Sequence, residues 1–152
     1  MISEELRTEL SKVQGLFEAF EYVNIWTNHG PTFTVDVITG TDAATAVAEH
    51  VGITINHVSM RELEDVAILQ SSLERFLFEF EFQFKTPEHG RGRVKSRTEF
   101  IGDLVERLFA IAGGRFVWCI DLSFEGFYEA DWDDFLICGS NAMLFLHLGV
   151  SD

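Results

Sequence analysis

Residues 76–85 read FLFEFEFQFK, with rings at Phe76, Phe78, Phe80, Phe82 and Phe84 and Leu77, Glu79, Glu81, Gln83 and Lys85 between them. An alternation of period two is the pattern of a strand with one apolar face; a helix would scatter the rings around its cylinder. The stretch predicts a strand, Phe76–Lys85, whose rings pack on helices while Glu79, Glu81, Gln83 and Lys85 form the opposite, polar face.

Upstream of this ribbon, Leu6, Leu10, Val13, Phe17 and Phe20 recur at three- and four-residue intervals, which predicts an amphipathic helix capped by Ser3. EYVNIW and TFTVDVITG, joined by the turn cluster TNHGP, read as a β-hairpin. Asp42 is placed to cap a short helix AATAVAEH that Gly52 ends. ITINHV reads as a strand, and the spacing of Ser59 and Glu62 as a capping box opening a helix through RELEDVAIL, with an extended VAIL as the alternative.

Downstream, the polar loop TPEHGRGRVKSR leads to a helix capped by Thr98, with the stripe Phe100, Ile101, Leu104, Val105, Leu108 and Phe109, stopped at Gly113 and Gly114. RFVWCIDLSF, DFLIC and MLFLHLGV are three further strands, the last two joined by the hairpin loop GSNA. A mixed order of this kind predicts an α+β fold in one domain, residues 1–152: a mainly antiparallel sheet with about three helices packed on one face. The alternative is an α/β arrangement with a mixed sheet.

The chain carries 25 acidic and 11 basic side chains, a formal charge of −14. Such a balance repels phosphate backbones and anionic lipid, so it argues against nucleic-acid and membrane partners and favours a basic protein partner. No apolar run approaches the roughly 20 residues of a membrane span, and the N-terminus MISEELRTELSKV is acidic where a secretory signal is basic, so the expected location is the cytoplasm. Cys119 and Cys138 sit in apolar strands and read as buried thiols.

Catalytic and cofactor signatures do not occur. The five histidines, at 29, 50, 57, 89 and 147, are dispersed without HExxH spacing, and no Cys-x-x-Cys pair exists. HGRGRVKSR gathers Arg91, Arg93, Lys95 and Arg97 but matches neither phosphate-binding glycine motif. No GxSxG elbow is present. Neither a catalytic residue, a metal ligand nor a cofactor is therefore assigned, and His147, alone in LFLHLGV, reads as a packed strand residue.

The most distinctive stretch is DLSFEGFYEADWDDF, residues 121–135, which combines six carboxylates with four aromatic rings apart from its terminal Phe135 and has no basic residue. It lacks the ligand order of a calcium loop. Carboxylates that steer and pair, beside large rigid rings, suit contact with a cationic protein patch, and Glu125, Tyr128, Glu129, Asp131, Trp132, Asp133 and Asp134 are the candidate contact residues. The competing reading is a connecting loop whose rings fold back into the core.

In size, acidity and this acidic-aromatic stretch the chain resembles the immunity proteins that bacteria pair with polymorphic toxins, many of which cover the active sites of cationic nucleases. The resemblance implies a small module that binds and neutralises a cognate basic toxin, and it carries no residue role over. Two other readings are a small-ligand-binding protein or enzyme with a site assembled from dispersed residues, and a homo-oligomer subunit using a sheet edge or aromatic patch. The inhibitor reading expects Asp131, Trp132 and Asp133 exposed together; the enzyme reading expects a deep pocket with a convergent histidine or carboxylate.

Overall fold

The computed structural model describes residues 3–24, 30–78, 87–126 and 128–151, with the backbone alone for 87–96. In chain order the elements are α1 (Glu4–Asn24), β1 (Gly30–Ile38), α2 (Ala43–Val51), a short 3-10 turn (Ile55–His57), β2 (Val58–Glu62), α3 (Ala67–Phe78), α4 (Pro87–Ala112), β3 (Phe116–Leu122), β4 (Asp131–Cys138) and β5 (Met143–Ser151). The strands form one antiparallel sheet in the order β1-β5-β4-β3-β2. The fold is α+β.

Strands β1, β3, β4 and β5 alternate between two cores. On one face Phe33, Val35, Val117, Phe135, Ile137, Leu144, Leu146 and Leu148 meet the apolar stripes of α1, α3 and α4, among them Val13, Phe17, Leu73, Phe76, Leu104 and Leu108. Three helices thus share one face. The fourth, α2, lies on the other, where Ala46 and Val47 pack on Ile38, Ile120, Leu136 and Phe145. That second layer is thinner and leaves part of its face to be covered by other means.

Local signals hold where one cap or stripe decides. The Ser3 hydroxyl accepts from the Leu6 amide at 3.2 Å, Asp42 accepts from the Thr45 amide at 3.0 Å, and Gly52 ends α2 in the left-handed region (φ 79°). The α4 stripe is buried at Ile101, Leu104, Val105, Leu108 and Phe109. β3, β4 and β5 lie where the three late strands are expected, with Gly139–Ala142 joining the last two.

Five expectations are corrected. Phe76, Leu77 and Phe78 close the helix α3 instead of opening a strand, because Leu69, Leu73, Phe76 and Leu77 form a helical stripe that runs through from upstream and buries fully. Phe76 packs on Phe33, and Phe78 on Phe20 and Phe100; residues 79–85 of the ribbon lie outside the described residues. Ser59 and Glu62 belong to β2, and α3 starts instead at Ala67, whose amide donates to the Asp65 carboxylate at 2.8 Å; of the strand expected over ITINHV, Ile55–His57 forms a 3-10 turn and only Val58 lies in β2. The helix expected from Thr98 begins at Pro87, the first-turn position that proline favours, so the backbone of 89–97 is helical. Finally, Glu21–Asn24 extends α1, and β1 pairs not with a hairpin neighbour but with β5, Phe33 opposite Leu148 and Val35 opposite Leu146.

The two edges of the sheet differ. In an antiparallel ladder alternate residues direct both backbone groups away from the partner strand. On β1 those residues are Pro31, Phe33, Val35 and Val37: Pro31 has no N–H, the Phe33 amide donates to Glu21 of α1, and the Val35 carbonyl accepts from Gln14 at 3.0 Å. α1 thereby takes one amide and one carbonyl of that edge. On β2, the Leu63 amide donates to Val117 and the His57 carbonyl accepts from Ser123, so Met60 and Glu62 point their backbone groups outward; no described residue bonds to them.

Candidate functional site

The acidic-aromatic stretch spans the end of β3, a loop at 123–130 and the start of β4, and strand alternation sorts its residues. Asp131 and Asp133 share the face of Phe135 and Ile137, toward the three helices; Trp132 and Asp134 share the face of Leu136, toward α2. Asp131, Trp132 and Asp133 are therefore not exposed together, because successive side chains of a strand point to opposite faces.

Toward the helices, Arg75 of α3 forks between the two carboxylates, pairing with Asp131 through Nη1 and with Asp133 through Nη2 at 3.0 Å; Ser72 donates to Asp133 at 2.6 Å. Partial burial opposes the guanidinium charge, but its bonds to Asp131 and Asp133 outweigh this and raise its pKa. Arg75 also lies over the Phe76 ring at 4.1 Å. Beside it, Ala67, Ile68, Ser71, Ser72 and Arg75 line an open depression of about 330 Å³. It contains neither a histidine nor a carboxylate.

Toward α2, the loop folds its rings back onto the sheet. Phe124 stacks on Tyr128 at 4.3 Å, and Tyr128 meets Trp132 edge-on at 5.3 Å and the His147 ring at 5.4 Å. Phe127 lies outside the described residues. This ring layer covers the sheet surface that α2 leaves open, so the rings form packing and the loop is held in place by it.

Beneath the rings lies a buried polar cluster. Asp134 and His147 are cross-strand partners on β4 and β5, and His147 Nδ1 lies 2.6 Å from Asp134 Oδ1. The Tyr128 hydroxyl donates to Asp134 Oδ2 at 3.3 Å and lies 3.1 Å from the same imidazole nitrogen. His147 Nε2 faces Glu129 Oε1 at 3.8 Å, and Glu129 Oε2 is buried with no hydrogen-bond partner among the described residues. Burial raises the Asp134 carboxyl above its ordinary range, against the opposing pull of His147. Burial, and then the nearby Asp134 charge, raise the Tyr128 phenol.

Gly149 makes room for this cluster. A Cβ there would stand 2.5 Å from His147 Nε2, 2.9 Å from Cε1 and 3.1 Å from Glu129 Cγ, so the imidazole occupies space that any side chain at 149 would take. Two carboxylates around one imidazole can bind and release a proton and can tie the loop to the sheet. With His147 only 6% exposed, the group is not presented to a substrate. Among the described residues no group of histidine, cysteine, aspartate and glutamate is arranged to hold a metal ion.

Of the seven candidate contact residues, Glu125 is exposed and unpaired among the described residues; Asp131 is exposed and Asp133 half-buried, both spent on Arg75; Tyr128 and Trp132 are half-buried in the ring layer; Glu129 and Asp134 belong to the buried cluster. Internal pairing of this kind counts against Asp131, Asp133 and Asp134 as partner contacts. Sequence reasoning had no means of finding Arg75 or Gly149, which lie far from the stretch in the chain. Cys119 and Cys138 are free and half-buried; Cys119 packs on the three-helix core and Cys138 on the α2 core, so they face opposite sides of the sheet, and burial raises both thiols.

Carboxylates without an ion-pair partner among the described residues lie instead along β2 and β3. Glu62, Glu64, Asp65, Asp121 and Glu125 are all exposed there, with Arg61 and His57 as the basic side chains among them. His57 is bonded to Ser123 at 2.8 Å. Among the described residues no helix is long and apolar enough to cross a membrane. Comparison with known protein families, with characterised protein sequences and with solved structures finds no match to this chain.

Proposed function

We propose that this chain is a small acidic protein-binding module that covers and neutralises a basic partner, in the manner of an immunity protein. The observation that carries this reading is the row of exposed carboxylates flanking the β2–β3 ladder, Glu62, Glu64 and Asp65 toward one end of β2 and Asp121 and Glu125 toward the other, which outnumber the basic side chains beside them. A surface of that sign accelerates encounter with a cationic protein and disfavours anionic competitors. The whole-chain charge of −14 acts in the same direction at long range. Relative to the sequence expectation, Glu125 is kept and the contact shifts from Asp131, Asp133 and Asp134 to Asp121, whose carboxylate is not taken up by the described residues.

The test is affinity purification from the native host with the parent chain and with a double variant, Asp121→Lys with Glu125→Lys, whose folding is checked by circular dichroism. A basic protein recovered with the parent and lost with the folded variant supports the reading. A partner of acidic or neutral surface, or one retained equally by the variant, overturns it.

A further inference from the structure

The β2 edge offers more than charge. We propose that it accepts an extended segment of the basic partner as a sixth strand, which rests on the reading above and gives it a binding mode. Met60 and Glu62 present outward backbone donors and acceptors that no described residue uses, on a strand that ends the sheet. Such a row is a template for strand addition, with backbone bonds supplying affinity and alternate side chains supplying selectivity.

The flanking side chains define the occupant. On the α2 face, Val58 and Met60 are half-buried against the second core and leave an apolar rim for two small apolar residues of an added strand. On the other face Arg61 occupies the middle, which disfavours a cation there and suits a neutral polar residue. Glu62, Glu64 and Asp65 lie at one end of β2; Asp121 and Glu125 lie at the other, since Leu122 stands opposite Val58 and Asp121 opposite Ser59. The complementary segment is therefore basic at both ends and apolar on one face at its centre. A second copy of this chain fits poorly, because pairing β2 with itself would bring two such carboxylate groups together on molecules that each carry −14.

The probe is the capped peptide acetyl-Lys-Lys-Val-Thr-Val-Lys-Lys-amide, with amide exchange of the full chain followed by NMR. Binding should slow exchange at Met60 and Glu62 by about tenfold or more, because an added strand bonds those amides directly. N-methylation of alternate peptide amides should abolish that protection while leaving the peptide charge intact. Glu62→Pro, which removes an outward N–H that the ladder does not use, should weaken binding beyond the effect of Glu62→Gln, which removes charge alone.

Peptide binding without protection, insensitive to N-methylation and to Glu62→Pro, overturns strand addition while leaving the acidic-surface reading intact. Failure of the lysine peptide to bind, or equal binding of a glutamate counterpart, overturns both. Protection of Met60 and Glu62 in the free protein also overturns the inference: concentration-dependent protection would mean self-pairing, and concentration-independent protection an edge already occupied.

Discussion

Asp133 and Asp134 are neighbours on one strand, and they meet opposite circumstances. Asp133 turns toward the helices, where Arg75 and Ser72 reach it at a margin that water also reaches. Asp134 turns toward α2, where its side chain has no exposure and its partners are an imidazole and a phenol, with Glu129 on the far side of the imidazole. The first pair is solvent-screened and replaceable by water; the second removes charge from water and depends on its partners being present. Two aspartates indistinguishable in sequence thus differ in what they cost and in what they hold, because strand alternation assigns them to different layers.

The largest test of that contrast is His147→Ala, which leaves Asp134 buried without its cross-strand partner. Urea unfolding should show a loss of about 3 kcal/mol, the scale of breaking a buried pair. A loss as small as that of a surface pair would erase the distinction. Gly149→Ala should cost about 2 kcal/mol by driving a methyl into the imidazole. In the His147→Ala background the same substitution should cost little, since the clashing ring is gone, and a double-mutant cycle measures that coupling.

The pH dependence sharpens the comparison further. Because burial raises the Asp134 carboxyl, the folded state holds a proton there that the unfolded chain has released above about pH 4. Its contribution is complete below that value and is lost as pH rises through the raised folded value. Asp134→Asn should remove this slope, so the stability of the variant relative to the parent should rise across that window in a series of urea titrations. Parallel curves would mean that burial does not hold a proton on Asp134. The smallest effect is expected from Arg75→Ala, about 1 kcal/mol or less and shrinking further in high salt, since both of its carboxylates remain accessible to water.

The sequence is most readable where structure is decided within a few residues. Ser3, Asp42 and Gly52 act on their own helix ends, and the α4 stripe needs only its own period. It misleads where two periods overlap: Phe76 and Phe78 satisfy an alternation with Phe80 downstream, while Phe76 and Leu77 satisfy a helical spacing with Leu69 and Leu73, and packing on Phe33 favours the helix. It is silent where the partner is remote, as for β1, whose neighbour β5 begins at Met143. The candidate site follows the same division. Residues 121–135 stand out by composition, yet whether their rings face water or the sheet depends on His147, on the space left at Gly149, and on how much of the surface α2 covers.

The partly occupied edge at β1 has a consequence for valence. A sheet with two free edges can extend in both directions, so each copy that adds a strand offers another edge and the product is an open-ended filament. Here Pro31 lacks a donor, and Glu21 and Gln14 take one amide and one carbonyl of the β1 edge. A strand added at β1 would have to displace those two side chains and accept a proline in the ladder, so addition at β2 is favoured over addition at β1 and growth in both directions is disfavoured.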